Sequence, residues 1–171
     1  MSFASISQLV PTLQSKCRLR VRILRVWPTQ SMAGDTIYWL NLLLIDCQGA
    51  ECQGMIFSFY LPKFDKKIEE GKIYAISNFE VDDAPKRDRV TVSTIYITLT
   101  AKTVVEELVD ASDIKKYSFK FLKSTDFATA YANDQYLSDL VGEVDHTEST
   151  VELLDGPLRE KTITVYLKLI E

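Results

Sequence analysis

The sequence has a single histidine, six glycines, five prolines and three cysteines among 171 residues, and each scarcity excludes something. His146 lies alone in an acidic stretch, with no Ser, Cys or carboxylate at a spacing that would make a catalytic pair, and reads as a surface residue. The glycines form neither GxGxxG nor GxxxxGK[ST], so the sequence offers no loop to cradle a phosphate. Glu80, Asp82 and Asp83 lack the spacing of a calcium loop and are followed by Lys86, Arg87 and Arg89, the composition of a mixed-charge hairpin loop. No catalytic residue, cofactor or metal is predicted. Cys17, Cys47 and Cys52 fit neither an even disulfide framework nor paired zinc knuckles, and with two of them in strand-like segments they read as reduced core thiols. The N-terminus shows no basic region ahead of an apolar run, and no segment approaches the ~20 apolar residues of a membrane span. A soluble intracellular protein without membrane contact is expected.

An excess of positive charge is also missing. Twenty Lys and Arg against 24 Asp and Glu leave a net charge of −4, which argues against coating duplex DNA by charge alone. The total hides an asymmetry, because residues 1–64 carry six basic and three acidic side chains and residues 65–171 carry 14 and 21. An anion-binding face is therefore expected in the first third.

What the sequence does have is a 46% hydrophobic content, ample for a core, arranged in short runs rich in Val, Ile, Leu, Thr and Tyr. These predict strands near 16–27, 36–46, 50–59, 72–81 and 90–99. Between the third and fourth, Pro62 suits a first helical turn, Phe64 and Ile68 fall at helical spacing, and Gly71 suits a C-terminal cap, so a short helix is expected. One helix between strands three and four is the connectivity of a five-stranded OB barrel, an all-β fold assigned to residues 1–110. After Leu99, VVEELVDASDIKKYSFKFLKSTDF loses clean alternation and reads as packed connector. Residues 111–136 are assigned to that connector, with a helix over 124–136. Residues 137–171 add two strand-like runs, SDLVGEV and KTITVYLKLIE. Two strands cannot close a barrel, so an incomplete second OB fold is expected, its edge covered by the first domain, a protein partner or self-association.

Within the first strand, Arg18, Arg20 and Arg22 alternate with Leu19, Val21 and Ile23, which predicts a row of guanidinium groups on the outer face. In IYWLNLLLID, Leu40, Leu42 and Leu44 fill the interior and leave Trp39 and Asn41 on the arginine side. An indole beside guanidinium groups is a base-stacking platform, worth ~1–3 kcal/mol per stacked base. Trp27, at the entry to the loop PTQSMAGDT, is a weaker candidate. The competing reading is a solvated strand face with core aromatics.

Together these segments resemble the large subunit of replication protein A, particularly its plant-type relatives, across the first DNA-binding OB domain and the start of the second. The resemblance is carried by FASISQL, LRVRILRVW, LLLIDCQGAECQGMIF, LPKF, EEGKIYAISNFEV, YSFKFLKSTDF and LSDLVGEV, in that order. It implies a nuclear, non-catalytic protein of DNA replication, repair or recombination that binds single-stranded DNA, with RNA as a second candidate, in a groove across strands two, three and one. It places Arg20 and Arg22 at basic positions, Asn41 and Gln53 at groove-facing positions, and Phe57, or Ile56 if the register slips, at a stacking position. Lys63 and Phe64 match a structural signature. Arg18, Trp39, Lys86, Arg87 and Arg89 complete the expected contact set. Three departures imply weaker binding: Asp82 and Asp83 where a lysine belongs, Asp88 and Arg89 where a second aromatic belongs, and Gln53 in place of a basic residue. The alternative is an OB barrel repurposed to bind a protein, since the fold serves both uses.

Overall fold

The run RLRVRILRVWPTQ forms β1 (Arg18–Gln30), a long strand that begins as the alternation predicts, with Leu19, Val21 and Ile23 fully buried. The structure is a computed structural model describing residues 2–12, 16–31, 33–64, 67–86, 89–110, 113–126, 137–153 and 159–169. β2 (Ile37–Asp46) and β3 (Glu51–Phe57) follow as an antiparallel meander. Leu42, Leu44, Cys52 and Ile56 point inward with the β1 residues, and Leu40 packs against them. A 3-10 turn (Ser58–Tyr60) leads into α1 (Leu61–Phe64), the helix expected between strands three and four.

The expected fourth strand is two strands. β4 (Ile73–Ser77) pairs antiparallel with β1, and β5 (Glu80–Asp83) pairs with β6 (Ile95–Thr98). Asn78, with φ at 57°, and buried Phe79 turn the chain between them. β6 in turn runs parallel to β3, giving the order β5-β6-β3-β2-β1-β4. Only two residues separate β4 from β5, so the chain brings the sheet round on itself into the curled half-barrel of an OB fold. The core of Leu19, Val21, Leu42, Ile56, Ile76, Val81 and Ile97 fills it. The last expected strand is shorter than 90–99. Part of the expected connector is also strand: β7 (Val104–Leu108) extends the sheet beyond β4.

The N-terminal segment is tied to this barrel by one buried carboxylate. Asp46, at the end of β2, accepts from Ser5 Oγ at 2.7 Å, Ile6 N–H at 2.8 Å, and the N–H groups of Gln48 and Ala50 at 2.9 Å each. It thereby caps the β2–β3 turn and pins the 3-10 turn Ile6–Gln8 at once. Removing it strands several buried donors, so Asp46→Ala is expected to lower the unfolding free energy by about 3 kcal/mol, read as a lower urea midpoint at unchanged slope.

The chain divides into two compact units, Met1–Ser118 with Asp134–Leu137 and Phe119–Asn133 with Ser138–Glu171. The second contains a 3-10 turn (Ser124–Asp126) and a two-stranded antiparallel hairpin, β8 (Gly142–Leu153) and β9 (Arg159–Leu169). β8 starts where SDLVGEV ends and runs well past it. The helix expected over 124–136 meets only that 3-10 turn, and its remainder lies outside the described residues. His146 is exposed as expected but belongs to β8 and not to a loop, stacked on Tyr166 with ring centroids 4.1 Å apart. Among the described residues no helix is long and apolar enough to cross a membrane.

Of the cysteines only Cys52 is the core thiol expected; Cys17 and Cys47 are exposed. Burial pushes the Cys52 thiol up to about 12, so it stays protonated and inert at neutral pH.

Candidate nucleic-acid interface

The outer face of the barrel is set by one irregularity in β1. The pairing with β2 shifts between Ile23 and Arg25, and the extra residue, Leu24, packs outward against Ile45, Ile73 and Ile114. A bulge of this kind reverses the inside-outside phase of everything after it. Val26 therefore packs inward, and Arg25, Trp27 and Thr29 join the outer face, opposite Leu43, Asn41 and Trp39 of β2. Strict alternation from Leu19 would have placed Trp27 in the core.

On β3 the same face carries Gln53, Met55 and Phe57, with Trp39 directly opposite Phe57. Phe57, not the fully buried Ile56, is thus the outward aromatic. Phe59 lies parallel to Phe57 with centroids 5.7 Å apart and planes 3° from parallel, and at 69% exposure it is the most open aromatic of the barrel's sheet end. Tyr38 stands 6.2 Å from Trp39 and is also exposed. Neither Phe59 nor Tyr38 was anticipated, although the Phe-x-Phe spacing at the end of β3 is a signal for the first. Between these rings an amide ladder crosses three strands. Asn41 Nδ2 donates to Thr29 Oγ1 at 2.9 Å and to the Trp27 carbonyl at 3.3 Å, and Gln53 Nε2 donates to Asn41 Oδ1 at 2.8 Å.

The arginines are elsewhere. Arg18, Arg20 and Arg22 do share one face, but each is paired with a carboxylate and Arg22 is buried outright, so the expected row of exposed guanidinium groups does not form. Arg18 pairs with Glu106 of β7. Arg20 forms a two-pronged pair with Asp113 at 2.6 and 2.8 Å. Arg22 is 1% exposed and donates to the carbonyls of Gly71 at 2.5 Å and Ile114 at 3.0 Å and to Asp110 at 2.7 Å. The cause is the acidic segment after β7, whose Ile114 packs onto the β1 and β4 outer surface and brings its carboxylates to the arginines. Arg22 also lies opposite Ile45, six residues along β2 from Trp39, or about 20 Å of strand.

Arg20 holds the Asp113 carboxyl below its ordinary 3.8, chiefly by hydrogen bonding. A depressed folded-state value means the pair stabilises fully above the unfolded value and fades as pH falls through the folded one. Acidification below about pH 4 is therefore expected to loosen residues 113–118, seen as faster amide exchange there, and Asp113→Asn should abolish that acid-dependent step.

Of the remaining expected contacts, Lys86 is exposed in the β5–β6 connection. Arg89 donates to the Ser93 carbonyl at 2.9 Å, and Arg87 and Asp88 lie outside the described residues. By register this connection flanks the Gln53 side of the outer face, opposite the β1–β2 loop beside Trp39. Asp82 opposes Tyr96 of β6, whose hydroxyl is raised first by burial and then by that carboxylate. Lys63 Nζ donates to the carbonyls of Ala101 at 2.6 Å and Thr103 at 2.5 Å, and Phe64 is buried, so both act structurally. Among the described residues no cluster of three His, Cys, Asp or Glu side chains stands ready to hold a metal.

A family described as a domain of unknown function, DUF223, matches residues 7–128. The chain belongs to the DUF223 family. It is 27% identical over 124 residues to Replication factor A protein 1 of Saccharomyces cerevisiae, covering 70% of this chain and 19% of that protein. Over 113 residues it is 28% identical to a 70 kDa DNA-binding subunit of replication protein A from Oryza sativa subsp. japonica, covering 66% and 18%. The chain thus spans about a fifth of the length of these curated relatives. It is a replication protein A-like OB protein. Its fold resembles that of a replication protein A heterotrimer bound to single-stranded DNA, at a TM-score of 0.56 and 17% identity, over 95% of this chain and 38% of that one.

Proposed function

We propose that this DUF223 protein binds single-stranded DNA on the outer face of β1, β2 and β3, without catalysis, in nuclear DNA replication, repair or recombination. The observation that carries the reading is the row of Trp27, Trp39 and Phe57, extended by Phe59 and Tyr38, on one face of the curled OB sheet. Flat aromatic faces held by strands accept successive bases whatever their sequence. The Oryza sativa relative is a DNA-binding subunit by name, which supports the same reading. Residues 1–110 are the binding domain in this proposal, residues 111–136 the connector, and residues 137–171 the partial second OB domain.

The contact set differs from the sequence expectation. Stacking leads, because Arg18, Arg20 and Arg22 are engaged by Glu106, Asp113 and Asp110. Exposed Lys86 flanks the bound strand, joined by Arg25, 4.0 Å from Glu70, and by Arg89, which also donates to the Ser93 carbonyl. Binding is therefore expected to depend weakly on salt, since each phosphate contact adds a slope of only about −0.7 for single strands. Anisotropy titration of a labelled single strand of ~20 bases, with salt varied and Trp39→Ala/Phe57→Ala alongside, tests it. An equal affinity for the RNA version of that strand would extend the substrate to RNA.

One observation favours a protein partner as a second reading. On one face of the β8–β9 hairpin, Val144 opposes Leu167, and Val165 and Ile163 continue the apolar strip; all four are exposed. A protein partner or a second copy of the chain would cover such a face.

A further inference from the structure

The amide ladder on the outer face has its direction fixed from one end. The Trp27 carbonyl only accepts hydrogen bonds, and it receives one from Asn41 Nδ2. Asn41 is 3% exposed, so turning its amide over would set Oδ1 against that carbonyl where water does not reach. Oδ1 is therefore held towards β3, where it accepts from Gln53 Nε2. That donation orients the Gln53 amide in turn. Oε1 points away from Asn41 and has no hydrogen-bond partner among the described residues. Gln53 is half-buried, on the face that carries Trp39 and Phe57, and opposes Leu43 on one side and Tyr96 on the other. The face thus presents a lone, oriented acceptor among aromatic surfaces.

We infer that Gln53 Oε1 reads the edge of a stacked base and selects one with an exocyclic amino group. Oε1 set at position 4 meets N4–H₂ in cytosine but the O4 carbonyl in uracil and thymine, whose own donor, N3–H, lies one ring position away. Stacking alone does not make this distinction, because both pyrimidines have similar rings. The inference rests on the single-strand-binding reading and adds a base preference to it. The absence of a positive charge at Gln53, which weakens phosphate attraction, becomes in this light the source of selectivity.

The test compares labelled oligodeoxycytidine and oligodeoxyuridine of ~15 bases, which differ only at the pyrimidine edge, by anisotropy at one salt concentration. The wild-type protein is expected to bind the cytidine strand about tenfold more tightly. Gln53→Leu should bring the two affinities together, and Gln53→Lys, which replaces the acceptor by a donor, should reverse the order. Equal wild-type affinities, or a cytidine preference that survives in Gln53→Leu, would overturn the role of Gln53 while leaving the binding reading intact. Failure to bind either strand removes both. The wild-type ratio needs no variant, so a folding defect in Gln53→Leu does not blur the result.

Discussion

Replacing Trp39 and Phe57 together by alanine is expected to weaken binding of single-stranded DNA by about 2–6 kcal/mol, roughly 30-fold to more than 10,000-fold. The two residues are cross-strand partners on β2 and β3, so both stand on the same face of the sheet. Phe57 is 36% exposed and Trp39 half-buried, which keeps both outside the closed core of Leu42, Leu44 and Ile56. The fold should therefore survive, with a far-ultraviolet circular dichroism spectrum like that of the unmodified chain. Phe59 would remain and limits the loss: if binding falls only by the lower end of that range, adding Phe59→Ala should remove most of the rest. Unchanged affinity in the triple variant would exclude the outer face of β1–β3 as the site.

Arg22→Ala should unfold the barrel more readily instead of weakening DNA binding directly. Its guanidinium ties β1 to the Gly71 turn, to the Ile114 carbonyl and to Asp110 from a position 1% exposed. Truncation leaves two carbonyls without a donor and a cavity in place of a large side chain, a loss of about 3–5 kcal/mol. Lysine cannot restore it, because a point charge does not reach three acceptors in the fork geometry of a guanidinium. Asp110 is 55% exposed, so Asp110→Asn should cost at most about 1 kcal/mol. The pair of variants separates the two roles by chemical denaturation: a large loss for Arg22→Ala with a small one for Asp110→Asn marks the arginine as a structural clamp. Comparable small losses would mean that the clamp contributes little. A double Arg20→Ala/Arg22→Ala variant would for the same reason report on folding more than on phosphate contact.

Much of the barrel was legible from residue pattern. The strand phases of Leu19, Val21 and Ile23 and of Leu40, Leu42 and Leu44 follow from period-two alternation, which local sequence contains in full. The existence of a short helix after β3 was legible too, but it ends at Phe64, so Ile68 lies outside it and Gly71, with φ at 82°, serves a turn before β4 and not the expected helix cap. Trp39 and Asn41 follow from the same alternation, whereas Gln53 and Phe57 came from the family resemblance, with Ile56 open until the β2–β3 register set Phe57 opposite Trp39.

The sequence by itself thus determined an all-β OB fold, the inward phase of Leu19, Val21, Ile23, Leu42 and Leu44, and the outward placing of Trp39 and Asn41. Tertiary structure decided the rest. The bulge at Leu24 turned Trp27 outward, and it exists because Leu24 finds Ile45, Ile73 and Ile114 on the far side of the sheet, residues 21, 49 and 90 positions away. The same packing brought Asp110 and Asp113 onto Arg22 and Arg20, converting an apparent phosphate-binding row into internal ion pairs. Charge alternation along a strand states which side a guanidinium leaves from; which carboxylate reaches it first depends on long-range contacts that no local pattern encodes.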